Sequence, residues 1–100
     1  MKLYNHLFKN WDDCKQIILE MDSMRRDKIE DAKVWDGIID WLYYLDTTDY
    51  ADHVKINSLA GKVACQMALP INVFPKTWFI KNIPEIRNRI EYYKNNPDEE

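Results

Sequence analysis

Apolar side chains recur at intervals of three and four residues along most of this chain, which is the period of one buried face of an α-helix. The first segment with this pattern carries Trp11, Cys14, Ile17, Ile18 and Met21. The same pattern recurs in three later segments, at roughly 28–45, 54–68 and 83–93. The sequence therefore predicts an all-α protein, a small single-domain bundle of four to five helices with at most a marginal, short β-hairpin.

Polar capping residues predict where the first two helices begin. Asn10 is the expected N-cap of the first helix, because Asp12 and Asp13 would follow it in the positively polarised first turn. Asp27, with Glu30 three residues later, predicts a capping box at the start of the second helix. No glycine separates these two helices, so one long, bent helix is an alternative.

Prolines divide the second half of the chain. Pro70 is expected to end the third helix, and the sequence Asn-Ile-Pro-Glu at 82–85 predicts the start of the last one. Between them, residues 70–83 fit either a short strand or a short helix that begins at Pro75. The predicted buried face of the last helix consists of Ile83, Ile86, Ile90 and Tyr93.

Length and composition favour one domain. With 100 residues, 46% of them apolar and 13% aromatic, the chain can bury one hydrophobic core but hardly two. We expect a helical domain over 1–97 and a disordered acidic tail at 98–100. No apolar run reaches the roughly 18 residues of a membrane helix, and the first residues lack the apolar stretch of a signal peptide. A soluble, cytoplasmic protein without membrane partners is therefore expected.

Charge is distributed unevenly along the chain. Residues 1–52 hold seven Lys or Arg against twelve Asp or Glu, a net charge of −5. Residues 53–97 hold seven Lys or Arg against two Glu, a net charge of +5, and the tail restores the overall −3. Such asymmetry points to charged partners, or to two halves of one fold that neutralise each other.

The residue types that carry metal or nucleophilic chemistry are few and badly spaced for it. The two histidines and two cysteines are His6, Cys14, His53 and Cys65, at gaps of eight and twelve within each His/Cys pair. Zinc ligands come in pairs about two to five residues apart, so we expect no metal site and no cofactor. Both cysteines fall in apolar patterns and are predicted to be small core residues. Neither serine lies in a glycine-flanked elbow, and Ser58 is predicted to cap a helix or lie at the surface, so no catalytic residue is assigned and no enzyme is expected.

The second helix carries the strongest functional signal. Its aromatic residues Trp35, Trp41, Tyr43 and Tyr44 cannot all lie on one buried stripe. Trp and Tyr are the residue types that dominate protein interfaces, and the face opposite the core is predicted to hold Lys33, Asp36, Gly37, Asp40 and Tyr44. We therefore predict a non-catalytic interaction module that binds a basic groove on a larger protein, a class that includes grooves that normally hold nucleic acid. The predicted partner-binding residues are Asp36, Asp40, Trp41 and Tyr44, with Asp27, Glu30 and Asp31 extending the acidity.

The basic segment 53–97 supports an alternative function. A helix, a connection and a further helix in this segment suggest a nucleic-acid-binding helix-turn-helix. Its candidate contacts are Lys76, Thr77, Lys81, Arg87 and Arg89. The connection at 69–73 is longer than the usual turn and the net charge is −3, so direct nucleic-acid binding is the weaker hypothesis. A basic face that complements the protein's own acidic half explains the same residues, and a homo-oligomer is a further alternative.

The composition as a whole resembles that of a known group of proteins. The chain is short, rich in Lys, Asn, Ile, Tyr and Asp, poor in Gly and without sequence motifs. In this it resembles the small accessory proteins of tailed phages, a group that includes inhibitors of host defence such as anti-CRISPR proteins. The resemblance implies a stoichiometric inhibitor in the bacterial cytoplasm that blocks a host macromolecule. The residues that mimic the charge of a nucleic acid would then be Asp27, Glu30, Asp31, Asp36 and Asp40.

Overall fold

The protein is an all-α bundle, as the periodicity predicts. Its structure is a computed structural model that describes residues 4–66 and 75–96. Within these ranges there are four α-helices, one short 3-10 turn and no strand. The elements are the 3-10 turn Asn5–Leu7, α1 Trp11–Arg25, α2 Ile29–Asp46, α3 Asp52–Gln66 and α4 Pro75–Asn95. Pro70, the strand alternative before Pro75 and the acidic tail at 98–100 lie outside the described residues.

One hydrophobic core joins the four helices and the segment before α1. Its largest fully buried side chains include Trp35 from α2, Leu59 from α3 and Phe79 from α4. The α1 stripe is confirmed, because Trp11, Cys14, Ile17, Ile18 and Met21 are all buried. α1 contacts each of the other helices, and α2 and α3 form the most extensive pair. α1 is therefore the central helix of the described bundle.

The junction between α1 and α2 confirms one predicted cap and corrects another. The Asn10 side chain accepts a hydrogen bond from the Asp13 backbone N–H at 2.9 Å, so it caps α1 as predicted. The chain then forms two helices rather than one bent helix. The predicted capping box is wrong, because Lys28 is the N-cap of α2 and makes no side-chain capping bond. Its carbonyl accepts the first helical bond, from Ala32 N–H at 2.8 Å, which places Asp27 one residue outside the helix.

The last helix is longer than the proline pattern predicts. α4 begins at Pro75, the position where proline is favoured, but it then runs through Pro84 without a break. An interior proline removes one backbone hydrogen bond and costs roughly 3 kcal/mol. Phe79 and Ile83 before it and Ile86 after it are all buried, and this shared packing holds the two halves in one helix.

The C-terminal end of α4 extends past the core. Ile90 is only partly buried, and Tyr93 is 45% exposed although its position belongs to the buried stripe. Helical phase alone predicts burial at Tyr93, but no described element covers this last turn. In the described residues, no helix is both long and apolar enough to cross a membrane.

Candidate protein-interaction surface

α2 turns one side to the core and the opposite side to solvent. Trp35, Ile38, Leu42 and Leu45 are buried. On the opposite side, Ile29 is 79% exposed, Tyr43 56% and Tyr44 50%. Asp36 and Asp40 are exposed between them. We call Ile29, Asp36, Asp40, Tyr43 and Tyr44 the α2 surface. It contains three of the predicted partner-binding residues together with two large side chains that were not assigned to the site.

Trp41, which was predicted to bind the partner together with Asp36, Asp40 and Tyr44, lies at the edge of this surface. Its indole Nε1–H donates a hydrogen bond to Ser58 Oγ on α3 at 3.0 Å, and the side chain is half-buried. Its ring stacks on Tyr44, with centroids 4.9 Å apart and planes 29° apart. Ser58 is thus an acceptor within α3 rather than a cap, which corrects its predicted role. The bond to Ser58 fixes the indole, and the indole in turn supports the Tyr44 ring.

Gly37 also departs from its predicted place on the solvent face. It is half-buried, and a Cβ built on it would lie 2.8 Å from Gln66 Nε2 of α3. The glycine therefore stands where α2 and α3 come close together. The helical phase of Gly37 predicts a solvent-facing position, but this prediction takes no account of α3, which approaches this flank of α2.

The predicted acidic strip is only partly free. Asp36 forms an ion pair with Arg26 at 2.7 Å, and Asp31 forms one with Arg25 at 3.0 Å. Asp40 is exposed, and no ion pair to it is found in the ranges the structure describes. The same holds for Asp27 and Glu30. The end of α1 therefore pairs with two of the five acidic residues, although Arg26 also binds Asp22 at 2.8 Å and divides its charge between two carboxylates. The other three have no ion-pair partner among the described residues.

Trp11 anchors the end of α2 from which the tyrosines project. Its indole Nε1–H donates to Asp46 at 2.8 Å, and its backbone N–H donates to Asp52 at 3.0 Å. Lys15 also binds Asp46, at 3.1 Å. The hydrogen bond from Trp11 and the charge of Lys15 hold the pKa of Asp46 below its ordinary value. These carboxylates at the α2–α3 turn thus fix α1 to both helices, a role that no sequence pattern indicates.

The arginines of the nucleic-acid hypothesis are bound to α1. Arg87 donates to both carboxylate oxygens of Asp13, at 2.7 and 3.0 Å, and to the Leu7 carbonyl at 2.7 Å. Arg89 donates to Glu20 at 3.0 Å. Burial raises the pKa of Asp13, but the hydrogen bond and charge of Arg87 outweigh this effect and lower it overall. The contacts are those expected of a basic face that complements the protein's own acidic half.

The other residues of that hypothesis are scattered along α4. Thr77 and Lys81 are exposed, and Lys76 lies in the first turn with its side chain outside the described part of the structure. The predicted connection at 69–73 lies outside the described residues.

The two cysteines have different environments. Cys14 is fully buried, and burial, reinforced by the charge of Asp13, raises the pKa of its thiol. Cys65 is exposed, so its predicted place in the core is wrong. It lies near the end of α3, on a side that the described elements do not cover. Among residues 4–66 and 75–96, no three His, Cys, Asp or Glu side chains come together as metal ligands would.

Comparison with known proteins gave no match to a family model, a curated protein or a solved structure.

Proposed function

We propose that this protein acts as a stoichiometric, non-catalytic binder of a larger protein, and that the α2 surface makes the contact. The observation that carries the proposal is the exposure of Ile29, Tyr43 and Tyr44 on one side of one helix. Single exposed apolar side chains are ordinary, but Tyr43 and Tyr44 are neighbours near the end of α2, and adjacent exposed aromatic side chains mark interaction sites. Ile29 lies about 21 Å away, at the start of the same helix. Tyr is also among the residue types that contribute most to binding energy.

The charges beside these side chains indicate the chemistry of the partner. Asp40 supplies negative charge one turn before Tyr44, and Glu30 and Asp27 supply it at the opposite end of α2, about 20 Å away. A basic partner surface would be steered towards them, and rim charges of this kind mainly raise the association rate. The resemblance to small phage inhibitors agrees with a partner whose basic groove holds nucleic acid, the class of target proposed here.

The α2 surface is also well supported from behind. The Trp41 bond to Ser58 and the Trp11 bond to Asp46 hold α2 against its neighbours. Side chains that are ordered before binding lose less entropy when the complex forms. This favours the α2 surface over the arginines of α4, which are already engaged by Asp13 and Glu20.

Affinity capture from the source cell, followed by quantitative mass spectrometry, tests the proposal. Tyr44→Ala is expected to weaken binding by roughly 2 kcal/mol, or about thirtyfold, if Tyr44 is a central contact. Asp40→Lys should chiefly slow association. A matched control carries Ile80→Ala and Tyr92→Ala, two exposed positions on α4. The α2 variants should lose a partner that the α4 control retains.

Two results would overturn the proposal. One is a partner that the α2 variants still capture and the α4 control loses. The other is tight, salt-sensitive binding to nucleic acid in a gel shift at about 50 mM salt, where electrostatic binding is strong. That second result would favour the alternative in which Lys81 and its neighbours contact phosphates.

A further inference from the structure

We propose that the α2 surface recognises an arginine side chain of its partner, held between the ring of Tyr44 and the carboxylate of Asp40. This inference rests on the proposed function and names the chemical group that the partner would present. It follows from three features: an aromatic ring held in place from one side, an uncompensated carboxylate one helical turn before it, and an arginine of this chain that already binds the same row of α2.

The first feature is the Tyr44 ring. Trp41 stacks on one of its faces, and half of the side chain is exposed. Because Ser58 fixes the Trp41 indole, the stacked pair offers a ring of defined orientation. A guanidinium placed on an open aromatic face is attracted by the electron density of the ring, and arginine takes this position more often than lysine.

The second feature is the position of Asp40. It precedes Tyr44 by four residues, so the two Cβ atoms lie about 5–6 Å apart on the same side of the helix. Asp40 is exposed, and no cation of residues 4–66 or 75–96 pairs with it. A planar guanidinium on the Tyr44 ring can direct its N–H groups along its edge to this carboxylate. The compact ammonium of lysine cannot stack and form a bidentate pair at once.

The third feature is the ion pair between Arg26 and Asp36. Asp36 lies one turn before Asp40 in the same row, and Arg26 Nη1 binds it at 2.7 Å. The row Asp36, Asp40 and Tyr44 thus already binds one guanidinium at its first acid. Asp40 is the next acceptor in the row and the one that has the aromatic ring beside it.

A second exposed tyrosine of α2 and a second unpaired acid lack this combination of a ring and a carboxylate one turn apart. Tyr43 is 56% exposed, but the residue one turn before it is Ile39, which is partly buried and apolar. Glu30 is exposed, but the residue one turn after it is Val34. Tyr43 and Glu30 are therefore matched controls on the same helix for the two residues of the proposed site.

The test is an NMR titration of the full chain with three peptides that differ at one kind of position. Gly-Arg-Gly-Arg-Gly-Arg-Gly is compared with the same peptide carrying Lys, and with one carrying the uncharged analogue citrulline. We expect the Arg peptide to shift the Trp41 indole N–H and the Tyr44 amide about threefold more than the Lys peptide of equal charge. The citrulline peptide should leave both signals almost unchanged.

Variants decide whether the site is the one proposed. Asp40→Asn and Tyr44→Leu should each abolish most of the preference for Arg over Lys, whereas Glu30→Gln and Tyr43→Leu should keep it. Equal shifts from the Arg and Lys peptides, or an Arg-specific response on another face, would overturn the inference. Failure of the arginine inference can be told apart from failure of the proposed function. If Tyr44→Ala abolishes binding of the partner but Asp40→Asn does not change it, the α2 surface still makes the contact and only the arginine site is wrong.

Discussion

Separating Asp13 from Arg87 should cost the protein more stability than separating any other ion pair described above. The perturbation is a double-mutant cycle with Asp13→Asn, Arg87→Gln and the combined variant. Arg87 closes two bonds to the Asp13 carboxylate and a third to the Leu7 carbonyl, and so joins α4 to α1 and to the segment before it. The cycle measures the coupling between the two side chains apart from their separate contributions.

The geometry sets the size of this coupling. Hydrogen bonds to charged groups contribute roughly 1.5–3 kcal/mol when they are buried. The side chain of Asp13 is 16% exposed and that of Arg87 33%, so solvent screens part of the interaction. We therefore expect a coupling energy of about 1 kcal/mol, above the few tenths typical of surface pairs. The pair of Arg26 and Asp36, with side chains 43% and 64% exposed, is the matched control and should give about 0.5 kcal/mol or less.

Urea denaturation of the four proteins of each cycle, followed by circular dichroism, supplies the free energies of unfolding. The reasoning is refuted if the coupling between Asp13 and Arg87 is no larger than that between Asp36 and Arg26. Such a result would mean that Arg87 is free to contact another molecule, and it would strengthen the nucleic-acid alternative.

Lowering the pH should remove the contribution of Asp13 to the free energy of unfolding. Its pKa is lowered in the folded protein, so its stabilising effect is fully present above the ordinary aspartate pKa, near 3.9, and is lost as the pH falls through the folded value. The difference in unfolding free energy between the wild type and Asp13→Asn should therefore be constant near neutral pH and shrink below about pH 4. A difference that grows on acidification would contradict the lowered pKa.

Two further predictions concern substitutions and reactivity inside the helices. Gly61→Ala should raise the free energy of unfolding by up to about 1 kcal/mol, because a Cβ there meets nothing within 4 Å and alanine favours a helix. Gly37→Ala should stabilise less in the same urea assay, since Gln66 must move aside, and adding Gln66→Ala should restore the gain. A thiol reagent should label Cys65 at once and Cys14 only as fast as the protein unfolds, because Cys14 is fully buried and its pKa is raised. Equal labelling rates for both thiols would show that the core opens locally.

Helical phase and capping residues predict most of the framework from sequence alone. The stripe of α1 follows from spacing and its start follows from the capping residue Asn10. Each of these features depends on residues that are neighbours in the chain, where local geometry decides the outcome. The exposure of Asp36, Asp40 and Tyr44 follows from the same phase.

The features that could not be predicted depend on contacts between distant segments. Pro84 is a helix breaker by local rules, and only burial of Phe79 and Ile86 on either side keeps α4 continuous. Gly37 faces α3 rather than solvent because of where Gln66 lies. Asp36 is neutralised by Arg26 across the junction between α1 and α2. The sequence supplies the charges of the candidate surface, but the tertiary structure decides which of them remain uncompensated.

The ion pairs between α1 and α4 have a consequence for the order in which the chain folds during synthesis. Arg87 binds Asp13 across 74 residues and the Leu7 carbonyl across 80, and Arg89 binds Glu20 across 69. A ribosome makes α1 before α4, so the central helix of the bundle waits for its partners on α4 until that helix has been made. α2 and α3, adjacent in sequence and closely packed, can pair while the remainder of the chain is still being made. The α2 surface thus belongs to a pair of helices that can form before α4 is made, and Phe79, Ile83 and Ile86 of α4 complete the core afterwards.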